Sequence, residues 1–251
     1  METRDLLKKR FIELSKKAYN GGYYTFTDFL GLSEISVLEE AKRDLYGIKY
    51  EKFGGCAGCE RVMVRFGNPE ELGYEGIFPI SILKIEPVSQ KFADSLTHRD
   101  FLGALLNLGI ERSVLGDIVI RDNVGYVFIK EDMCEYVSSE LHRIKHTEVK
   151  LSIAESVPEG ELFKTERVRL QISGERIDAV VAKLFSLSRE DAKILFEKSL
   201  VYTNGRECTN PSYAPKAKDV ISVRGHGRFI YLGYESLSKK GKLNIEVDLY
   251  V

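Results

Sequence analysis

The sequence predicts an α+β protein in three consecutive parts: an N-terminal α/β segment, a central domain of βαββαβ order, and a C-terminal unit of two helices and a hairpin. Three observations carry this. Apolar residues recur at helical spacing in some stretches and alternate in others. The middle of the chain arranges those stretches as strand, helix, strand, strand, helix, strand. Charge is also uneven: residues 167–251 hold 15 Lys and Arg against 10 Asp and Glu, and the remainder holds 22 against 28. A total of −1 therefore conceals an acidic front and a basic end, and a basic end raises the question of nucleic acid.

With 251 residues, 43% hydrophobic and 30% charged, the composition is that of a soluble protein of two or three small domains. No apolar run approaches the roughly 20 residues of a membrane span. The opening "METRDLLKKRFIELSKKA" reads as an amphipathic helix rather than a signal peptide, so the expected location is the cytoplasm.

The first segment, residues 1–75, reads as that helix, the aromatic-rich loop "NGGYYTFTDFLG", a second helix around "EISVLEEAKRDL", and strands near "GIKYEKF" and "ERVMVRF". The aromatics from Tyr19 to Phe29 are expected to pack a small domain rather than stack on bases. "CAGC" places Cys56 and Cys59 at the spacing of zinc and redox motifs. The nearest further pair of ligands, His142 and His146, lies far outside finger spacing, and the stretch runs into a strand rather than opening a helix. A reduced pair in a Gly-rich turn is expected, with no metal and no cofactor.

The second segment, residues 76–154, contains strand "IFPISILKIEP", a helix, strands "GDIVI" and "GYVFIK", helix "EDMCEYVSSELHRI" and strand "EVKLSIA". His98, Arg99 and Asp100 imitate the start of a kinase catalytic loop, but Leu105 stands where the metal-binding Asn is required. The residues instead suit a helix start: Thr97 caps, Asp100 returns the bond, Phe101, Leu105 and Leu108 share a face, and Gly109 ends the helix. "RDNVG" reads as a hairpin turn. The order is that of a ferredoxin-like or RRM-like sheet with helices on one face. Gly125, Tyr126 and Phe128 offer two rings on one strand face, as RNA-stacking strands do, although buried strand rings are the default reading.

A polar linker, residues 155–166 "ESVPEGELFKTE", leads to the basic end, residues 167–251. There Ile177, Val180, Val181 and Leu184 give one helix an apolar face, and Ala192, Leu195 and Phe196 give another. Ser188 can cap the second helix with Asp191 three residues on. "VYTNGREC" holds the Asn-Gly of a two-residue hairpin. Arg176, Lys183, Arg189, Lys193, Lys198 and Arg206 project from these elements.

This arrangement resembles the S4-type RNA-binding domain and its αL motif over about 50 residues. The matching positions are Arg176 and Asp178, Ser188-Arg189 with Ala192, Asn204-Gly205, Pro211, and Asp219-Val220-Ile221. Ser199-Leu200 and Ala217-Lys218 depart from it where Gly is usual. The resemblance implies that Lys and Arg on both helices neutralise phosphates, while Asn204, Arg206 and the loop "RGHGR", with Arg224 and Arg228, approach the sugar edge. Lys239, Lys240 and Lys242 suit either such a rim or a solvated tail.

"THRDFLGALLNLGI" and "LGDIVI", with the closing "GRFIYLG" and "KLNIEVDLY", are similar to the bacterial YlmH family over nearly the whole chain. "CAGC" is not a feature of that resemblance. Membership implies a monomeric, non-catalytic RNA-binding protein of the large ribosomal subunit. It would act in ribosome-associated quality control on subunits carrying peptidyl-tRNA, with ribosomal RNA and also tRNA as candidate partners. Two alternatives stand beside it. A division-linked scaffold is one, and a pseudouridine-synthase-like enzyme is the other, since "GERID" echoes that enzyme's Asp setting. Asp178, however, falls in the first turn of a helix, where a carboxylate suits the dipole.

Overall fold

The computed structural model describes residues 2–160, 162–238 and 241–251; Lys239 and Lys240 lie outside the described residues. The chain is mixed α+β and divides into two compact units, Met1–Leu162 and Phe163–Val251.

The first unit begins with α1 (Glu2–Gly21), β1 (Thr25–Phe26), α2 (Leu32–Ala41), β2 (Tyr50–Phe53), β3 (Met63–Phe66) and the short α3 (Pro69–Leu72). The strands form a sheet in the order β1-β3-β2, and Phe11, Leu14, Val37, Leu38, Val64 and Phe66 make the core between sheet and helices. The helix expected through Leu45 stops at Ala41. Within the aromatic loop, β1 pairs with β3, Tyr24 and Phe29 are buried, and the Tyr24 hydroxyl donates to the Tyr74 carbonyl at 2.6 Å. Those two rings pack the segment, as expected of them.

The same unit continues with β4 (Ile80–Pro87), α4 (His98–Asn107), β5 (Leu115–Arg121), β6 (Val124–Lys130), α5 (Cys134–Glu140), β7 (Arg143–Ile144) and β8 (Thr147–Ala154). The sheet runs β5-β6-β4-β8-β7, every pair antiparallel. Asp122 and Asn123, both at positive φ, make the two-residue turn between β5 and β6. At the head of α4 the Asp100 carboxylate accepts from the Thr97 amide at 2.7 Å and hydroxyl at 2.6 Å, and Gly109, at φ +79°, turns the chain away. One expected helix is shorter than its pattern: α5 ends at Glu140. Leu141 and Ile144 are both buried, and Lys145 at φ +52° turns Arg143–Ile144 back onto β8 as an edge hairpin. The pairing of Arg143 with Glu148 and of Ile144 with Thr147 takes this backbone into the sheet instead of the helix.

Leu83, Ile85, Val127 and Ile129 meet Phe101, Leu105 and Val137 on the helical face of this sheet. The opposite face is also covered, by Phe29 and Met63 packing on Ile82, Val119 and Phe128. Phe128 is therefore fully buried and unavailable for stacking, while Tyr126 is half-buried at the edge of the same cluster. Gly55, at φ +107°, passes so close to Phe128 that a Cβ there would collide with the ring. Val157 and Leu162, expected in a free linker, pack against this cluster.

The second unit comprises β9 (Thr165–Ile172), α6 (Ile177–Leu184), α7 (Arg189–Glu197), β10 (Val201–Thr203), β11 (Arg206–Glu207), β12 (Val220–Val223), β13 (Gly227–Leu237) and β14 (Leu243–Tyr250). They form a six-stranded sheet, β11-β10-β12-β13-β14-β9. Strand β9 begins inside the expected linker, and its Leu170 and Ile172 reach the core beside Ile177, Val180, Val181, Phe196, Phe229 and Val247.

Candidate nucleic-acid interface

Helix α6 is buried from Ile177 through Ala182, which leaves Lys183 as its exposed cation. Its start is clamped by a loop, since Ile177 N–H donates to the Tyr213 carbonyl at 2.8 Å and Asp178 N–H to that of Pro211 at 3.2 Å. The preceding Arg176 is held in a two-pronged pair by the buried Asp178. Asp178 is thus a structural anchor, and its carboxylate faces an arginine rather than an open cavity.

Helix α7 is amphipathic in the simplest way. Ala192 and Phe196 face the core, while Arg189, Lys193 and, at the C-cap, Lys198 are exposed. Ser188 caps it: the hydroxyl accepts from Asp191 N–H at 3.0 Å and donates to the Asp191 carboxylate at 2.6 Å. Arg189 donates to the Ser173 hydroxyl at 2.6 Å. Lys183, Ser186, Arg189 and Lys242 line one open depression of about 470 Å³. Ser188, Arg189 and Lys193 line an adjoining one together with Glu190 and Glu197. Arg189 therefore joins both, and Lys242 belongs to the rim.

A second group lies at the hairpin. Asn204 (φ +50°) and Gly205 (φ +75°) form its turn, but the Asn204 amide is committed to the fold, donating to Asp219 at 2.8 Å and accepting from Val220 N–H at 2.9 Å. Asp219 also takes the Tyr213 hydroxyl at 2.7 Å and Lys216 N–H at 2.8 Å. Burial, followed by the bond to Asp219, pushes the Tyr213 hydroxyl up to about 12. Gly205 shapes the turn, and Arg206 is exposed beyond it.

The third group was only half legible in the sequence. Arg224 lies 4.6 Å from the centroid of the Tyr202 ring, and Arg228 the same distance from that of Tyr250. Tyr202 pairs with Ser222, which pairs with Arg228, so these side chains line the sheet face opposite the helices. The two tyrosines were missed as partners because each is the lone tyrosine of its strand, far in sequence from the arginine it meets or separated from it by a turn. Their alternation with buried Val201 and the partly buried Leu249 was the available signal.

Not all the positive charge is free for a ligand. Arg167 pairs with Asp248 at 2.9 Å, and Arg169 with Glu246 at 2.8 Å and Glu235 at 3.5 Å, neutralising the β9–β14 edge. Among the described residues, Lys183 on α6 and Lys193 and Lys198 at α7 are exposed cations with no ion pair. In the first unit, Cys56 and Cys59 are free thiols with their sulfurs 3.5 Å apart. Among the described residues no group of three or more His, Cys, Asp or Glu is placed to hold a metal.

Residues 74–157 match the family model described as "Putative RNA-binding domain in YlmH". Over 234 residues the chain is 26% identical to a curated relative, "Ribosome-associated protein quality control protein P2" of Bacillus subtilis (strain 168), covering 88% of this chain and 86% of the relative. The chain is thus similar to the YlmH family, over residues 74–157 for the family model and over most of its length for the relative. A solved structure, "Cell division protein ylmH from Streptococcus pneumoniae", shares 25% identity over 60% of this chain and 90% of its own, with a TM-score of 0.48. The stretch matched by the family model runs from Tyr74, just beyond the Gly73 that ends α3, through the whole β5-β6-β4-β8-β7 sheet to Val157. The basic helices of the second unit lie outside it. No helix among the described residues is long and apolar enough to cross a membrane.

Proposed function

We propose that the protein is a non-catalytic RNA-binding protein that associates with the ribosome. On this reading it acts on large subunits carrying peptidyl-tRNA in ribosome-associated quality control, as a cytoplasmic monomer contacting ribosomal RNA and tRNA. Residues 76–154 serve as an RRM-like domain and residues 167–251 as an S4-type domain bearing the αL motif. Arg176, Lys183, Ser188, Arg189, Lys193, Lys198, Asn204, Gly205, Arg206, Arg224 and Arg228 form the RNA surface, with Asn204 and Gly205 shaping it and the cations contacting phosphate.

The observation that carries this reading is the cluster of exposed cations around Arg189, next to a helix whose apolar face is wholly spent on the core. Such cations neutralise phosphates and release counterions, giving affinity that falls steeply with salt. The RNA-binding match over 74–157 and the ribosome-associated relative support the same assignment.

Gradient fractionation at low and moderate salt, with mass spectrometry of the RNA nucleosides, tests it. The expected result is co-sedimentation with large subunits, enriched where peptidyl-tRNA is retained, fading with salt, and no new modified nucleoside. Absence from ribosomal fractions at low salt, or a new nucleoside that depends on Asp178, would sink it.

A further inference from the structure

The stretch matched as RNA-binding presents a difficulty. Sheets of βαββαβ order stack bases on the face away from their helices, yet here that face is occupied: Phe29 and Met63 lie on Ile82, Val119 and Phe128. The residual exposed part carries Lys84 and Lys150, both paired with Glu86 at 2.9 and 3.4 Å. The other cations of the stretch are mostly spent as well. Lys130 pairs with Asp28, Lys145 with Asp100 and Arg143 with Glu148, and Arg112 is held by the carbonyls of Leu115 and Gly116.

One short segment behaves differently. After β4 the chain runs through Gln90–Phe92 to α4, fastened by Asn123, whose side chain accepts from Leu96 N–H at 2.7 Å and donates to the Asp94 carbonyl at 2.9 Å. Phe92 on this segment is 81% exposed. The Lys91 ammonium lies 5.5 Å from its ring centroid, and neither Lys91 nor Arg99 has a carboxylate partner among the described residues. The nearby carboxylates are turned inward: Asp94 accepts from His146 N–H at 3.0 Å and from the Thr147 hydroxyl at 3.1 Å, and Asp100 from Thr97. The arrangement is an anchored loop displaying an exposed aromatic ring with the Lys91 ammonium beside it.

We propose that this loop, with Phe92 as a stacking platform and Lys91 as a phosphate contact, is the RNA-binding surface of the 74–157 stretch, and that its ligand is an unpaired RNA segment. Stacking needs a base free of its helix, and a ring of this kind tolerates any base. The proposal rests on the RNA-binding reading above and moves the contact of this stretch off the sheet.

The test uses the full chain and a short 4-thiouridine-containing single-stranded oligonucleotide, with a blunt RNA duplex for comparison. Irradiation followed by peptide mapping should label the peptide holding Phe92. Phe92→Ala should weaken single-strand binding about tenfold, Phe92→Trp should retain it, and Lys91→Ala should lower the salt slope by about 0.7. Because Phe92 is exposed, its replacement leaves the fold intact. If cross-links map only to residues 163–251 and Phe92→Ala binds as wild type, while Arg189→Ala with Lys193→Ala weakens binding, the loop proposal fails and the RNA-binding reading stands. If in ribosomal particles the Phe92 peptide cross-links to protein and not RNA, the loop proposal also fails. No RNA binding by any form of the chain overturns both.

Discussion

Arg176 grips Asp178 with two parallel bonds, Nε to Oδ1 at 3.0 Å and Nη2 to Oδ2 at 2.7 Å, and the carboxylate is 2% exposed while the arginine is 45% exposed. Removing the carboxylate takes away the partner of Arg176 at the start of α6. Asp178→Ala should cost about 1–3 kcal/mol in urea unfolding and leave the nucleoside composition of bound RNA unchanged. Wild-type stability in that variant would show that the pair contributes little.

Arg189 and Lys193 project from α7 opposite Ala192 and Phe196, so their loss should not disturb the core. Arg189→Ala and Lys193→Ala should each weaken RNA binding and reduce the slope of log affinity against log salt by about one, with thermal unfolding within about 0.5 kcal/mol of wild type. An unchanged slope would assign these side chains to solvent.

Where local chemistry decides structure, the sequence was legible. The Thr97–Asp100 start, the Asp122–Asn123 and Asn204–Gly205 turns and the Ser188 cap all formed from the residues expected to make them. What failed was tertiary in origin. The end of α5 depended on Leu141 and Ile144 finding a core, and β9 was hidden because its inward residues alternate with charges that read as linker. At the candidate surface, the exposed positions of Lys183, Arg189 and Lys193 followed from helical periodicity. The internal commitment of Arg176 and Asn204 did not, because Asp178 and Asp219 meet them only in the fold.

The Thr97–Asp100–Lys145 group predicts a pH dependence. The Lys145 ammonium, then the Thr97 hydroxyl and amide, hold the Asp100 carboxyl down to about 2, below the roughly 3.9 of an unfolded chain. A depressed carboxyl contributes stability that is complete above about pH 4 and disappears as pH falls toward 2. Asp100→Asn should therefore melt below wild type at pH 7, and the gap should close between about pH 4 and 2. A gap independent of pH would mean that charge plays no part.

Cys59 is buried enough that its thiol is pushed well above the ordinary range, with burial the leading cause. Since the thiolate is the nucleophile, Cys59 should alkylate with iodoacetamide at pH 8 many times more slowly than a free cysteine. Replacing both Cys56 and Cys59 by Ser should leave folding and RNA binding intact. Stoichiometric zinc in the purified protein, lost with stability in the double variant, would contradict this.

The covering of Phe128 by Phe29 and Met63 bears on where the chain can be cut. A fragment beginning at residue 74 would match the RNA-binding family model and still lack its roof, baring Ile82, Val119 and Phe128 as one oily sheet. Exposed apolar patches of that kind drive self-association, so the excised stretch should precipitate or oligomerise while residues 1–162 remain dispersed. The first seventy residues thus shield the stretch that follows them, and the smallest workable piece of this protein's front is larger than the motif that names it.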